Sequence, residues 1–189
     1  MGKVFSKPLL FGWLAGLATV GVVGGVFALL VMFGGVYDTS ATKPHLKIVA
    51  WAVHHTMISA VGRRADDAQA PKAITPPMVA AGARVYQARC AACHGAPGMA
   101  RADWARAMLP TPPFLLDARA RWTPGALYKI VHDGVKMTAM PAWGEVESAQ
   151  HIAQVVAFLQ AMPKVSPEAY RRITAGVQPP AGSGFPAGR

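Results

Sequence analysis

At 189 residues the chain has room for one ordinary domain plus appendages. Hydrophobic residues make up 52% and charged ones only 15%, a charge fraction that argues against a wholly soluble chain. A formal net charge of +10 invites a nucleic-acid partner, but the lysines and arginines are scattered and no recognisable nucleic-acid module accompanies them, so that class is excluded.

No charged residue lies between Lys7 and Asp38, and Leu9 to Val36 is almost wholly apolar or glycine. Such a run exceeds the roughly 20 residues needed to cross the hydrocarbon core of a bilayer. The competing reading is a cleaved signal peptide with Lys3 and Lys7 as its basic start. Its apolar stretch would span only about 7–15 residues before a small-x-small cleavage site, and Gly34-Gly35-Val36-Tyr37-Asp38 is a poor one. Residues 1–37 are therefore expected to be an uncleaved transmembrane anchor. Gly12 and Gly16, then Gly21 and Gly25, stand at small-xxx-small spacing, which suits close packing on another membrane helix or reflects the abundance of glycine in such helices. Lys3 and Lys7 favour a cytoplasmic start, although Lys43, Lys47, Arg63 and Arg64 on the far side blunt that rule.

Residues 38–77 follow as a juxtamembrane stretch. Pro44 to Arg64 predicts a short apolar helix rich in Ile48, Val49, Trp51, Met57, Ile58 and Val61, suited to a membrane interface or a neighbouring subunit. His54 and His55 are adjacent, so they point to different faces of a helix, and no further ligand is near them; surface or structural roles are expected. Ala65 to Pro77 contains Asp66, Asp67, Pro71, Pro76 and Pro77 and reads as a linker.

Residues 78–165 read as a compact all-α domain. One helix starts at Thr75-Pro76 and runs to about Arg89. A second has Thr123 as N-cap, Pro124 at its first position and Gly134 as its stop, with Leu127, Ile130 and Val131 on the apolar face. A third is capped by Ser148, carries Ile152, Val155, Val156 and Leu159 at i, i+3, i+4, i+7 spacing, and ends at Pro163. Residues 166–189 form an extension that begins as a short helix and becomes rich in proline and glycine from Gln178 onward.

The chemistry is concentrated in Cys90-Ala91-Ala92-Cys93-His94. Two thiols separated by two residues and followed by histidine form the attachment signal of a c-type haem. Each sulfur can add across one porphyrin vinyl group from a single helical turn, and the adjoining imidazole can then ligate the iron. Zinc would want about four N or S ligands, whereas the whole chain has two cysteines. A redox dithiol is expected near a βαβ pattern, and the surroundings here are helix and loop. For the opposite iron face the candidates are Met137 and Met140. Met140 precedes Pro141, which pushes it from helix towards an extended loop able to present its sulfur; methionine is also ordinary core filler.

The set Gly82-x-x-x-Tyr86, Cys90-Ala91-Ala92-Cys93-His94 and Met140-Pro141-Ala142-Trp143, with Phe158 in a closing helix, resembles class I c-type cytochromes, most closely the membrane-anchored, single-haem bacterial type. The resemblance covers roughly residues 75–165. It implies one covalent haem c on Cys90 and Cys93, iron between proximal His94 and distal Met140, and close crossing of the first and last helices at Gly82 beside Tyr86 and Phe158. It also implies a proline carbonyl, from Pro110, Pro112 or Pro113, accepting the spare N–H of His94, with Trp143 either bordering a propionate or packing. Because bacterial haem c is attached outside the cytoplasmic membrane, the domain is expected on the periplasmic side. The implied function is a single-electron relay in contact with membrane lipid and redox partner proteins, either a tethered carrier or a subunit of a larger membrane oxidoreductase. The alternatives are a haem enzyme or gas sensor with an open sixth iron position, and a structural subunit without haem.

Overall fold

The computed structural model describes residues 7–177 and divides into two compact units between Lys43 and Pro44. The basic start at Lys3 and the proline- and glycine-rich end from Gln178 lie outside the described residues. In the first unit, helix α1 (Lys7–Phe33) is 27 residues long, has a most apolar stretch of mean hydropathy 2.3, and buries no side chain. At about 1.5 Å per residue it exceeds the roughly 30 Å of a hydrocarbon core. By length and composition it can cross a membrane. The space beside Gly12, Gly16, Gly21 and Gly25 is open: a Cβ at any of them would meet nothing within 4 Å.

The second unit is all-α. Its helices are α2 (Lys47–Arg64), α3 (Pro76–Arg89), α4 (Ala91–His94), α5 (Asp103–Arg106), α6 (Ala118–Arg121), α7 (Pro124–Asp133), α8 (Ala149–Ala161) and α9 (Pro167–Ile173), with single 3-10 turns at Asp67–Gln69, Trp143–Glu145 and Met162–Lys164. Among the described residues the only strand-like pairing is one isolated bridge between Ala96 and Met99. The expected caps Thr123 and Ser148 act locally as their chemistry requires, and the structure adds Thr75 and Ser166 to them. Thr75, Thr123, Ser148 and Ser166 each accept a hydrogen bond from a backbone N–H three residues on, satisfying donors that the first helical turn leaves free.

The core lies where α3 crosses α8. Tyr86 and Phe158 are fully buried and tilt against each other with ring centroids 5.1 Å apart. Ile152, Val155, Val156 and Leu159 are buried with them, so the whole α8 stripe faces inward. Gly82 makes the crossing possible: a Cβ there would stand 1.9 Å from the Gln154 carbonyl oxygen and 3.0 Å from the Phe158 Cβ.

Two flanking stretches pack more closely than their sequences suggest. In the stretch expected as a linker, the Asp67 carboxylate accepts the Gly125 N–H at 3.1 Å at the start of α7. Beyond Ser166, α9 returns to the core. Tyr170 is buried, stacks on Phe158 with centroids 5.7 Å apart, and donates its hydroxyl to Gln87 Oε1 at 2.7 Å. Arg84 Nε donates to the Ile173 carbonyl at 3.1 Å.

The Gly82 crossing yields a direct test. Alanine gains about 1 kcal/mol of helix propensity over glycine, but overpacking costs about 1–3 kcal/mol and occasionally more. The clash at Gly82 is with backbone, which cannot rotate away, so the upper end applies. Gly82→Ala should lower the urea midpoint substantially; an unchanged or raised midpoint would show that the helices can separate freely.

Candidate cofactor site

The motif cysteines and His94 occupy one turn. Cys90 ends α3, its N–H bonded to the Tyr86 carbonyl, and the N–H groups of Cys93 and His94 both donate back to the Cys90 carbonyl at 3.1 and 2.9 Å. The buried Tyr86 hydroxyl donates to the Gly95 carbonyl at 2.6 Å, fastening the end of that turn to the core. No disulfide joins the two thiols. Burial, with Cys93 adding its charge, pushes the Cys90 thiol up to about 12, and burial raises Cys93 as well. A redox dithiol needs a thiolate of lowered pKa, so this environment opposes the dithiol reading.

His94 Nδ1 lies 2.8 Å from the Pro113 carbonyl oxygen. A carbonyl can only accept, so Nδ1 carries the proton and neutral His94 presents the Nε2 lone pair. Burial, and secondarily the Arg101 charge, hold the imidazole below its ordinary pKa, while the Pro113 bond acts in the opposite sense. The ring is thus kept in the form that a metal takes. Of the three candidate prolines, Pro113 is the acceptor. The Pro112 carbonyl is engaged by Arg101, whose guanidinium also lies 3.8 Å from the Phe114 ring centroid.

Beside His94 is a cavity of about 510 Å³ lined largely by Ala96, Met99, Phe114, Leu115, Leu116 and Met162, with Asp117 and Arg121 as its charged members. That volume falls within the roughly 300–1,000 Å³ of cofactor sites, and the mostly apolar lining with a few polar groups matches their usual make-up. Of the motif's donors only His94 lines this cavity, and a flat apolar ring suits its apolar lining; Cys90 and Cys93, on the same turn as His94, would tether it.

Met140 packs, half-buried, on the rim of the same core cluster as Cys90, Leu115, Trp122 and Trp143, and is not among the residues lining the cavity. Met137 is 70% exposed and has a positive φ of 61°. The Met140 loop is closed by its own bonds: Val135 N–H to the Met140 carbonyl at 3.2 Å, and Met140 N–H to Thr138 Oγ1 at 3.1 Å. Gly134, at φ 66°, lets this loop fold back, since a Cβ there would meet the Pro141 carbonyl carbon at 2.5 Å. His54 and His55 lie apart on α2. His55 Nδ1 stands 2.9 Å from the Trp51 carbonyl, and the described residues contain no group of three or more His, Cys, Asp or Glu placed to hold a metal ion.

The turn, the fixed imidazole and the apolar slot define a c-type cytochrome domain. Residues 77–159, a little under half of the chain, match the family model described as cytochrome c oxidase, cbb3-type, subunit III. The domain accordingly carries covalently bound haem c and has an electron-transfer role. No curated protein matches the chain.

Sequence reasoning missed two supports. Arg101 braces the 112–114 segment from a loop position that no pattern marks. Glu147 joins Arg89 Nε at 2.7 Å to His151 Nδ1 at 2.8 Å, and Arg89 lies over the Trp143 ring, so the end of α3 is held beside Cys90. The i, i+4 spacing of Glu147 and His151 was a visible signal; the long-range Arg89 partner was not. Burial alone would raise Glu147, but its bonds from His151 and Arg89 outweigh that and hold it below the ordinary 4.5. A carboxylate lowered on folding stabilises the fold above its unfolded pKa, and that contribution is lost as pH falls through the lower folded value. Glu147→Gln should therefore cost about 1–2 kcal/mol near neutrality. The gap between native and variant in urea melts should close as pH drops below 4.5. A gap that stays constant across that range would remove the charge from the account.

Proposed function

We propose that the chain is a membrane-anchored, single-haem cytochrome that relays electrons one at a time, with Cys90 and Cys93 as tethers, His94 as proximal ligand and Met140 as distal ligand. The observation that carries the reading is the His94–Pro113 bond, which fixes the imidazole tautomer on the turn that also holds both thiols. A single haem is supported by the presence of one attachment motif and only two cysteines. When bound, the haem supplies a one-electron ferric/ferrous couple. The protein's own part is to hold both tethers on one turn, to keep Nε2 unprotonated, and to surround the ring with apolar side chains that limit water.

Met140 is favoured over Met137 because it stays half-buried against the core cluster on which Cys90 also packs, whereas Met137 is turned to solvent. A soft thioether in that position raises the reduction potential relative to histidine pairs. It also closes the iron to substrate, which favours relay over catalysis. The length and apolarity of α1 support an anchor. Haem c attachment outside the bacterial cytoplasmic membrane supports a periplasmic domain.

The family description, an oxidase subunit, favours membership of a larger membrane oxidoreductase over a free tethered carrier. Gentle detergent extraction of the intact chain separates the two: partner subunits that co-purify support membership, and a monomer that retains none argues for the carrier.

Met140→Ala should abolish the near-infrared sulfur-to-iron band of the ferric protein and lower its reduction potential, while Met137→Ala leaves both unchanged. Unaltered spectra in the Met140 variant would overturn the ligand assignment and reopen the reading of an accessible iron site.

A further inference from the structure

Helix α2 is apolar on two sides, and only one is covered. Met57, Ala60 and Val61, which share one face, are half-buried, and the helix packs against α7. The opposite face carries Ile48, Trp51, His55 and Ile58, spaced three, four and three residues apart so that they form one stripe. Ile48 is 67% exposed, Trp51 57% and Ile58 39%. A helix apolar all round is normally buried on all sides, so this stripe calls for a second environment.

We propose that the outward stripe of α2 is a membrane-contact surface, seated in the headgroup and upper acyl region of a bilayer with Trp51 at its centre. The proposal rests on the reading of α1 as a membrane anchor, and three observations select lipid as the occupant. Residues 34–46 are the only chain between Phe33 and Lys47, and extended backbone of that length reaches at most roughly 45 Å. The length of this tether sets an upper limit on how far the chain can carry α2 from the end of α1. The charges are of one sign: Lys47, Arg63 and Arg64 stand exposed at the two ends, and no carboxylate occurs within Lys47–Arg64. Lys47, four residues before Trp51, borders the stripe, and charge of this one sign complements anionic headgroups.

The third observation concerns the flanks of the stripe. A partner helix docking on this spacing would be selected by charged residues beside the seam. Here the flanking positions include Ala52, His54 and Ser59, with Lys47 at one end; no carboxylate is among them to pair with a charged partner helix. Small and weakly polar side chains of this kind suit the headgroup boundary. Trp51 adds the amphipathic ring favoured at that level. Its indole is steadied by the His55 ring, 4.8 Å away between centroids.

The test uses the full, haem-loaded chain in nanodiscs of mixed anionic and zwitterionic phospholipid, without added reductant. Nitroxide labels are placed singly at Ile58→Cys on the stripe, Val22→Cys in α1 and Arg119→Cys on the haem domain. Collision with oxygen, which concentrates in lipid, is compared with collision with a water-soluble nickel complex. The expected result is a ratio several-fold higher at Ile58 and Val22 than at Arg119. A high ratio at Val22 with a water-like ratio at Ile58 overturns the surface and leaves the anchor standing. A label at Ile58 shielded from both reagents means protein covers the stripe, which also overturns it. Water-like ratios at both Ile58 and Val22 defeat the anchor reading and the surface together.

Discussion

A single hydrogen bond, from His94 Nδ1 to the Pro113 carbonyl, sets the chemistry of this domain. It determines which nitrogen carries the proton and turns the other towards a metal. Everything around it keeps that geometry in place. From one side the turn is fixed by the buried Tyr86 hydroxyl on Gly95. From the other, Arg101 holds the acceptor segment through the Pro112 carbonyl and the face of Phe114. A ligand whose orientation is secured on both sides loses little freedom when it binds, so less of the binding free energy is spent on ordering.

The same arrangement explains the apolar residues left open in the second unit. Phe114 is 53% exposed and Leu116 42%, and both line the cavity beside His94. A domain of this size has little core relative to its surface. A flat apolar ring in that cavity would extend the core and stabilise the fold by binding only its folded form. In such a domain cofactor and core cannot be considered separately.

The local rules wrote much of the fold into the sequence. The caps at Thr123 and Ser148, the helix start at Thr75, the stop at Gly134 and the α8 stripe are short-range devices, so their residues announce them. Gly82 was readable only through the family resemblance, because a glycine in a helix does not by itself reveal the backbone it lies against. The cysteine pair and His94 were legible because covalent chemistry fixes their spacing. The choice of Pro113 over Pro110 and Pro112 was not, since all three share one loop and only tertiary placement selects an acceptor. The roles of Arg101 and Arg89 were hidden for the same reason: their partners depend on how distant segments meet.

Side chains outside residues 77–159, the stretch matched by the family model, pack on helices within it. Asp67, outside the match, accepts the Gly125 N–H at the first turn of α7, where a carboxylate is also favoured by the helix dipole. The other end of α7 is Gly134, which turns the chain directly into the Met140 loop. Tyr170, also outside the match, stacks on Phe158 and bonds Gln87, bracing the α3–α8 crossing from its outer side. The two flanks therefore steady the two elements on which the proposed iron ligands depend: α7 leads to Met140 and α3 leads to Cys90 and His94. Asp67 and Tyr170 thus brace α7 and α3 through contacts made from outside the matched stretch.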